Sequence, residues 1–307
     1  MSEEFPTATL ARLVANARVE VLPTPSTEDL VLAHVPCVRT VTVTASPSKG
    51  LEATLALTER LAQHGYPVVP HLAARMVSGR SELEEIVGRL AASGITRVFV
   101  PAGDAHPVGD YEDALGLLED LAAIGHPFKH VGITGYPESH PMINDDVAVQ
   151  SMWDKRRYAT HIVSNLTFDP VVMHRWIKRL RARGVILPVL LGVPGPVHRA
   201  KLLSMATKIG VGDSTRFLMK NKRLFGRLAA PGGFTGERFL IKCAPELGGP
   251  EALVEGLHVF TFNQIAETEA WLSDLRQRLC RSSPRSHPPP HRTYRKSFKI
   301  IQREKAA

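Results

Sequence analysis

The stretch SELEEIVGRLAASGITRVFVPAGD, residues 81–104, holds one complete helix-to-strand unit. Leu83, Ile86, Val87 and Leu90 recur at the i, i+3, i+4 spacing that gives a helix a single apolar stripe, so the pattern predicts a helix over Ser81–Ser93. Gly94 follows it as a stop signal. Arg97–Pro101 is then a short run of β-branched and aromatic residues with no alternation, the composition of a strand buried on both faces. Such strands are found in parallel sheets, whose crossovers are helices.

The same unit recurs in both directions along the chain. Strands are predicted at Val19–Leu22, Thr40–Thr44, Val68–His71, Arg97–Pro101, His130–Tyr136, His161–Phe168, Leu187–Val193 and Leu257–Phe262. Helices are predicted at Glu52–His64, Ser81–Ser93, Tyr111–Ala123, Val147–Tyr158, Pro170–Arg183, Arg199–Ile209 and Gln264–Leu279. The punctuation agrees: Gly65, Gly94 and Gly125 end helices and Asp169-Pro170 begins one. Eight βα units are the number that closes a (β/α)8 barrel, the TIM barrel, and no G-x-G-x-x-G follows the first strand as an open dinucleotide-binding sheet would require. The expected organisation is one α/β barrel over residues 1–281, with an insertion of extra helices at Gly212–Gly249 before the last strand. Residues 282–307, with Pro288-Pro289-Pro290 and scattered bases, are too poor in apolar residues to pack and are expected to be disordered.

Charge is unevenly placed. The net +8 of the 307 residues resides almost wholly in the segment from Arg281 onward, which has eight Lys/Arg against one Glu. The near-neutral body argues against a nucleic-acid binder, and the tail is read as a solvated terminus or as an arm for polyanions. Cys37, Cys243 and Cys280 are odd in number and widely spaced, with no C-x-x-C pair, which argues against a disulfide framework or a structural zinc site and suits a reducing cytoplasm. With no signal-peptide pattern and no long apolar run, a cytoplasmic protein is expected.

In such a barrel the active site is built from the C-terminal ends of the strands and the loops after them. The polar residues there are Glu20, Thr42, Thr44, His71, Asp104, Tyr136, Glu138, His140 and Asn165. Glu20, within Val-Glu-Val-Leu, either faces the surface or points into the barrel, where burial would raise its pKa as a general acid requires. Asp104 after Gly103 is either a helix N-cap or a ligand contact. His71 is either a satisfied structural histidine or a site residue. In Tyr136-Pro137-Glu138-Ser139-His140-Pro141 two prolines fix the backbone around a phenol, an acid and an imidazole. No H-x-H or H-E-x-x-H gives a metal signal, and no G-x-S-x-G marks a nucleophile, which leaves acid catalysis and ligand binding.

Taken in order, these strand ends resemble the methylenetetrahydrofolate reductase family from about Val19 to Gln264. Val19-Glu20-Val21-Leu22-Pro23 is similar to the first-strand motif, Thr44 to the second-strand threonine, Pro70-His71-Leu72 to the third-strand histidine motif and Gly103-Asp104 to the end of the family's Arg-Gly-Asp. The segment 136–141 matches best, and His258-Val259-Phe260-Thr261-Phe262-Asn263 also resembles a family segment. The resemblance implies a (β/α)8 barrel that reduces 5,10-methylenetetrahydrofolate to 5-methyltetrahydrofolate with NADH or NADPH through FAD. Glu20 would be the proton donor and Asp104 a second catalytic residue, with Thr44, His71, Gly103, Tyr136 and His140 on the cofactor. Asn165, Arg199 and Leu203 would contact the folate, the first two where the family has Gln and the third where it has an aromatic.

Other departures concern the flavin. Ala102 stands where the family has an Arg, and Asp145-Asp146 and Asp154-Lys155-Arg156-Arg157 match the acid and Lys-rich stretch after His140 only with a gap. The flavin-holding set is thus incomplete, and direct hydride transfer from the nicotinamide is the expectation that follows. Three other readings are open: a related one-carbon or flavin barrel with a different substrate, a catalytically inactive member that binds folate or a partner protein, and a nucleic-acid binder acting through the tail.

Overall fold

The structure, a computed structural model, describes residues 4–137, 145–167, 169–197 and 236–282. Eight parallel strands form the sheet: β1 Arg18–Val21, β2 Val41–Val43, β3 Val68–Pro70, β4 Arg97–Val100, β5 His130–Gly135, β6 His161–Ser164, β7 Val189–Pro194 and β8 Val254–Phe260. Their order, β3-β2-β1-β8-β7-β6-β5-β4, joins the first strand to the last. The two ends of that order meet at a bridge between His71 and Phe99, supported by the Leu72 amide donating to the Phe99 carbonyl at 2.8 Å. The sheet is therefore a barrel, as the strand count predicts.

The helices that alternate with the strands are α2 Thr27–His34, α3 Gly50–Gln63, α4 Arg80–Ala92, α5 Ala114–Ile124, α6 Asp145–Lys155, α7 Pro170–Ala182, α8 Gly236–Leu247 and α9 Ile265–Ser282. α1, Glu4–Ala15, precedes the first strand and packs against α8, α9 and β8. The sequence pattern missed α1 and α2. In α2, eight residues with only Thr27 and Val31 buried are too few to set up a period. The insertion contributes α8, which buries Phe239, Leu240, Cys243, Ala244 and Leu247; the expected helix over 199–209 and the tail from 283 lie outside the described residues. Among the described residues no helix is long and apolar enough to cross a membrane.

Strand pleating divides the side chains into two sets. Val19, Val21, Val41, Val43, Val98, Val100, Ile133, Ile162, Leu191 and Val259 face outward into one continuous core shared with the helices. The alternate residues face the barrel axis. There Val69, Phe99, Val163 and Leu190 make a separate apolar cluster, a plug across the barrel. Inward residues nearer the strand starts are Arg18, Arg97, His130 and His161, and those nearer the strand ends include Glu20, His71 and His258. The plug thus separates a basic floor from an acid–base mouth.

Candidate active site at the C-terminal mouth of the barrel

Glu20 points inward, which resolves the alternative left open by its strand pattern. Its Oε2 lies 2.8 Å from His258 Nε2 and 3.6 Å from His71 Nε2. The first is a hydrogen bond; the second is too long to be one. The His71 and His258 side chains are 6% and 1% exposed, against 16% for Glu20, so the carboxylate is the member of the set that reaches the solvent side. The Thr44 hydroxyl is 3.1 Å from His71 Nδ1. The His71 ring meets Phe99 edge-on at 4.7 Å and the His258 ring meets Phe260 in the same way at 4.8 Å, so both imidazoles are braced by aromatic edges.

This environment reverses the expected pKa shift of Glu20. Burial favours the neutral acid, but the hydrogen bond from His258, the electrostatic pull of His71 and His258 and a hydrogen bond from Thr44 outweigh it. The carboxyl is held below its ordinary range. Composition alone could show the apolar flanks of Glu20 and not the two imidazoles that converge on it. Burial meanwhile pushes His71 down to about 4, so its ring is neutral at physiological pH.

A turn from β8 fixes the end of β1 beneath this site. Thr261 Oγ1 donates to the Glu20 carbonyl at 2.6 Å, and the Asn263 amide donates to Thr261 Oγ1 at 3.0 Å. Asn263 Oδ1 accepts from the Leu22 amide at 2.8 Å, and its Nδ2 donates to the Leu22 carbonyl and the Thr27 hydroxyl at 3.2 and 3.1 Å. Phe262 and Asn263 take positive φ values of 51° and 56°, a conformation for which Asn is suited.

The remaining predicted residues take different places. Asp104 is exposed in the loop after β4 and caps no helix: α5 starts ten residues later with Asp113 as its N-cap, accepting from the Leu115 and Gly116 amides. Gly103, at φ 87°, brings its Cα so near Ala73 that an added Cβ would sit 3.1 Å from the alanine methyl. Tyr136, just past β5, is pushed up in pKa first by burial and then by the charge of Asp104, which places the two within electrostatic reach. Asn165, just past β6, turns its Oδ1 onto the Leu166 amide at 2.7 Å. His140, Arg199 and Leu203 lie outside the described residues.

Two groups were not found by sequence reasoning. His258 was read only as part of a resembling segment, although a histidine inside an apolar strand is the same signal that singled out Glu20. The metal-ligand reading lacked a linear motif. In the structure ligand-type atoms of Glu20, His71 and His258 lie within 4.8 Å of one another, because each is carried by a different strand.

A flavin needs groups for its diphosphate, and residues 101–113 after β4 supply no lysine or arginine for that task. Ala102 offers no charge there. The Ala74 and Arg75 amides donate to the Pro101 and Ala102 carbonyls, and the Val108 and Asp110 amides donate to the Arg75 and Ser78 carbonyls. The two loops zip together, which leaves those amides engaged with protein. Arg75 itself turns its Nε to the Glu112 carbonyl at 2.8 Å.

Among solved structures the chain is similar to a protein of Burkholderia cenocepacia J2315 (12% identity, TM-score 0.45, 92% of this chain and 88% of that one). It is also similar to a mandelate racemase/muconate lactonizing enzyme from Bordetella bronchiseptica RB50 (10%, 0.40, 80% and 53%) and to a dihydropteroate synthase from Thermus thermophilus in complex with 6HMPPP (16%, 0.42, 84% and 92%). The family model for methylenetetrahydrofolate reductase matches residues 26–215, more than half of the chain. That match covers Thr44, His71, Gly103, Asp104, Tyr136 and Asn165 and lies between Glu20 and His258, the two residues that meet over the top of the barrel. The chain belongs to the methylenetetrahydrofolate reductase family.

Proposed function

We propose that the protein reduces 5,10-methylenetetrahydrofolate to 5-methyltetrahydrofolate, taking hydride directly from NADH or NADPH. Family membership suggests a folate-related one-carbon reductase, an oxidoreductase in a family that usually binds FAD. The observation that carries the finer reading is a carboxyl group, Glu20, at the barrel mouth, held by two buried imidazoles.

The reaction consumes one substrate, one NAD(P)H and one proton. Protonation of a bridge nitrogen breaks one C–N bond of the five-membered ring and leaves an iminium carbon; hydride adds to that carbon, which becomes the methyl group, and the nicotinamide leaves oxidised. In this reading Glu20 delivers the proton. Its resting pKa is low, and a pterin seated over it removes the remaining water from the carboxyl, strengthening the desolvation that favours the acid form. His258 holds Oε2 in place, and Thr44 holds His71. Asp104 and Tyr136 occupy the opposite rim, where they would engage the pterin or the nicotinamide. Ala102 and the zipped β3 and β4 loops support a route without flavin.

The test joins a spectrum to an assay. The purified protein is expected to be colourless and to oxidise NADH or NADPH only when methylenetetrahydrofolate is present. A stoichiometric flavin spectrum would overturn the direct route, and absence of folate-dependent oxidation, with folate still bound in calorimetry, would favour the inactive binding member instead.

A further inference from the structure

The Glu20, His71 and His258 cluster has the makings of a second kind of site. A zinc-like ion bonds His nitrogen and carboxylate oxygen at about 2.0–2.2 Å, which sets neighbouring ligand atoms roughly 3.3 Å apart in a tetrahedral shell. Here Oε2 of Glu20 lies 2.8 Å from one Nε2 and 3.6 Å from the other, on either side of that spacing. Three protein ligands of this kind leave a fourth position for water or a ligand, and Glu20 is the member that reaches toward the mouth.

A second observation points the same way. His71 Nε2 is buried and has no hydrogen-bond partner among the described residues. Its other nitrogen, Nδ1, meets Thr44 Oγ1 at 3.1 Å, a contact in which the ring can be the donor. When Nδ1 donates to Thr44, the bare lone pair of the unpartnered Nε2 faces Oε2. In that tautomer two acceptors face each other across 3.6 Å, an arrangement stabilised by a cation between them. Thr44 plays the part that outer partners of metal-bound histidines play, fixing the ring by its other nitrogen.

We propose that Glu20, His71 and His258 form a seat for a first-row divalent cation, with Zn2+ the best fit to two imidazoles and one carboxylate. Occupancy takes the carboxylate oxygen that would carry the proton, so metal and acid function exclude each other; this second clause alone rests on the reductase reading. His258 Nδ1 has no partner among the described residues, so one outer support is missing. Loss of such support typically weakens a site about 10–100-fold, which makes this an exchanging site.

Co2+ added to chelator-treated full-length protein is the direct probe. One equivalent should give the intense visible d–d bands of a four- or five-coordinate ion, and Zn2+ should abolish them. His71→Ala and His258→Ala should lose the bands. Thr44→Val keeps all three ligands and should bind about 10–100-fold more weakly. Absence of bands in the wild type overturns the site, as does equal binding by both histidine variants, which would place the ion elsewhere, for instance on His287 and His291 of the tail. One equivalent of Zn2+ should also suppress folate-dependent NAD(P)H oxidation, and unchanged turnover with zinc bound overturns the exclusion. A protein that binds Co2+ but never turns over would refute the reductase reading and leave the metal site standing.

Discussion

Asn263→Ala should cost both stability and turnover, because one side chain ties β8 to the end of β1. Its Oδ1 accepts from the Leu22 amide at 2.8 Å, and its Nδ2 donates to the Leu22 carbonyl at 3.2 Å and to Thr27 Oγ1 at 3.1 Å. Counting the two Leu22 bonds at about 1 kcal/mol each, and adding about 1 kcal/mol for placing alanine at φ 56°, gives about 3 kcal/mol. For a protein of this size that is a fall in Tm of roughly 6–12 °C. Asn263→Asp keeps the acceptor and tolerates the backbone, so it should fall between wild type and alanine. Urea unfolding followed by circular dichroism measures the stability, and the NAD(P)H assay measures the second effect, since the same turn supports the Glu20 carbonyl through Thr261. An alanine variant within about 0.5 kcal/mol of wild type, below a single net hydrogen bond, would refute the claim that this turn anchors β1.

Glu20→Gln should reduce folate-dependent turnover by about 10²–10⁴ and leave calorimetric folate binding largely intact, since an amide keeps the shape and cannot supply the proton. Gly132→Ala should destabilise the barrel by about 1–3 kcal/mol in urea melts: the new Cβ would sit 2.8 Å from His161 Nε2 and 3.1 Å from the Phe99 ring. Burial, and then the nearby charge of Arg18, push His161 down to about 3, whereas an unfolded histidine titrates near 6.5. Its folded pKa is depressed, so the unfolded chain binds the extra proton below about 6.5; the stability it contributes is full above that pH and is lost as pH falls toward 3, by up to about 1.4 kcal/mol per pH unit. His161→Gln should flatten that slope in melts taken across pH 4–7.

The barrel was legible because its evidence is periodic. α4 and β4 were readable from 24 consecutive residues, since the helix stripe and the apolar strand differ in period and Gly94 marks the border. α2 was not, because a helix that buries only Thr27 and Val31 leaves no stripe. At the site, Glu20 and His71 were visible as polar residues at strand ends. His258 carries the same signal, yet its importance lies in an atom 2.8 Å away across 238 residues of sequence, and no local window contains that pair. The direction of the Glu20 pKa was lost for the same reason.

The barrel axis explains why these long-range pairs concentrate where they do. Inward residues meet across the barrel as well as between neighbouring strands, so Arg18 of β1 reaches His161 of β6 at 3.3 Å, below the plug, while Glu20 of the same strand reaches His71, just past β3, and His258 of the adjacent β8 above it. Among the described residues no carboxylate pairs with Arg18, and burial together with Arg97 brings its pKa down to about 10. Two positions of β1, one pleat apart, are thereby set in opposite fields: a cation among cations at the floor and an anion among imidazoles at the mouth. The plug of Val69, Phe99, Val163 and Leu190 lies between them, and the polar atoms beside it are the buried hydroxyls of Thr42 and Thr134, which have no hydrogen-bond partner among the described residues. Two isolated hydroxyls make no proton chain to the floor, so proton exchange at Glu20 is expected to run through the mouth. A polar substitution in the plug, Phe99→Tyr or Val163→Thr, should therefore change the pH dependence of turnover more than the affinity for folate, which a comparison of kcat and KM across pH would read directly.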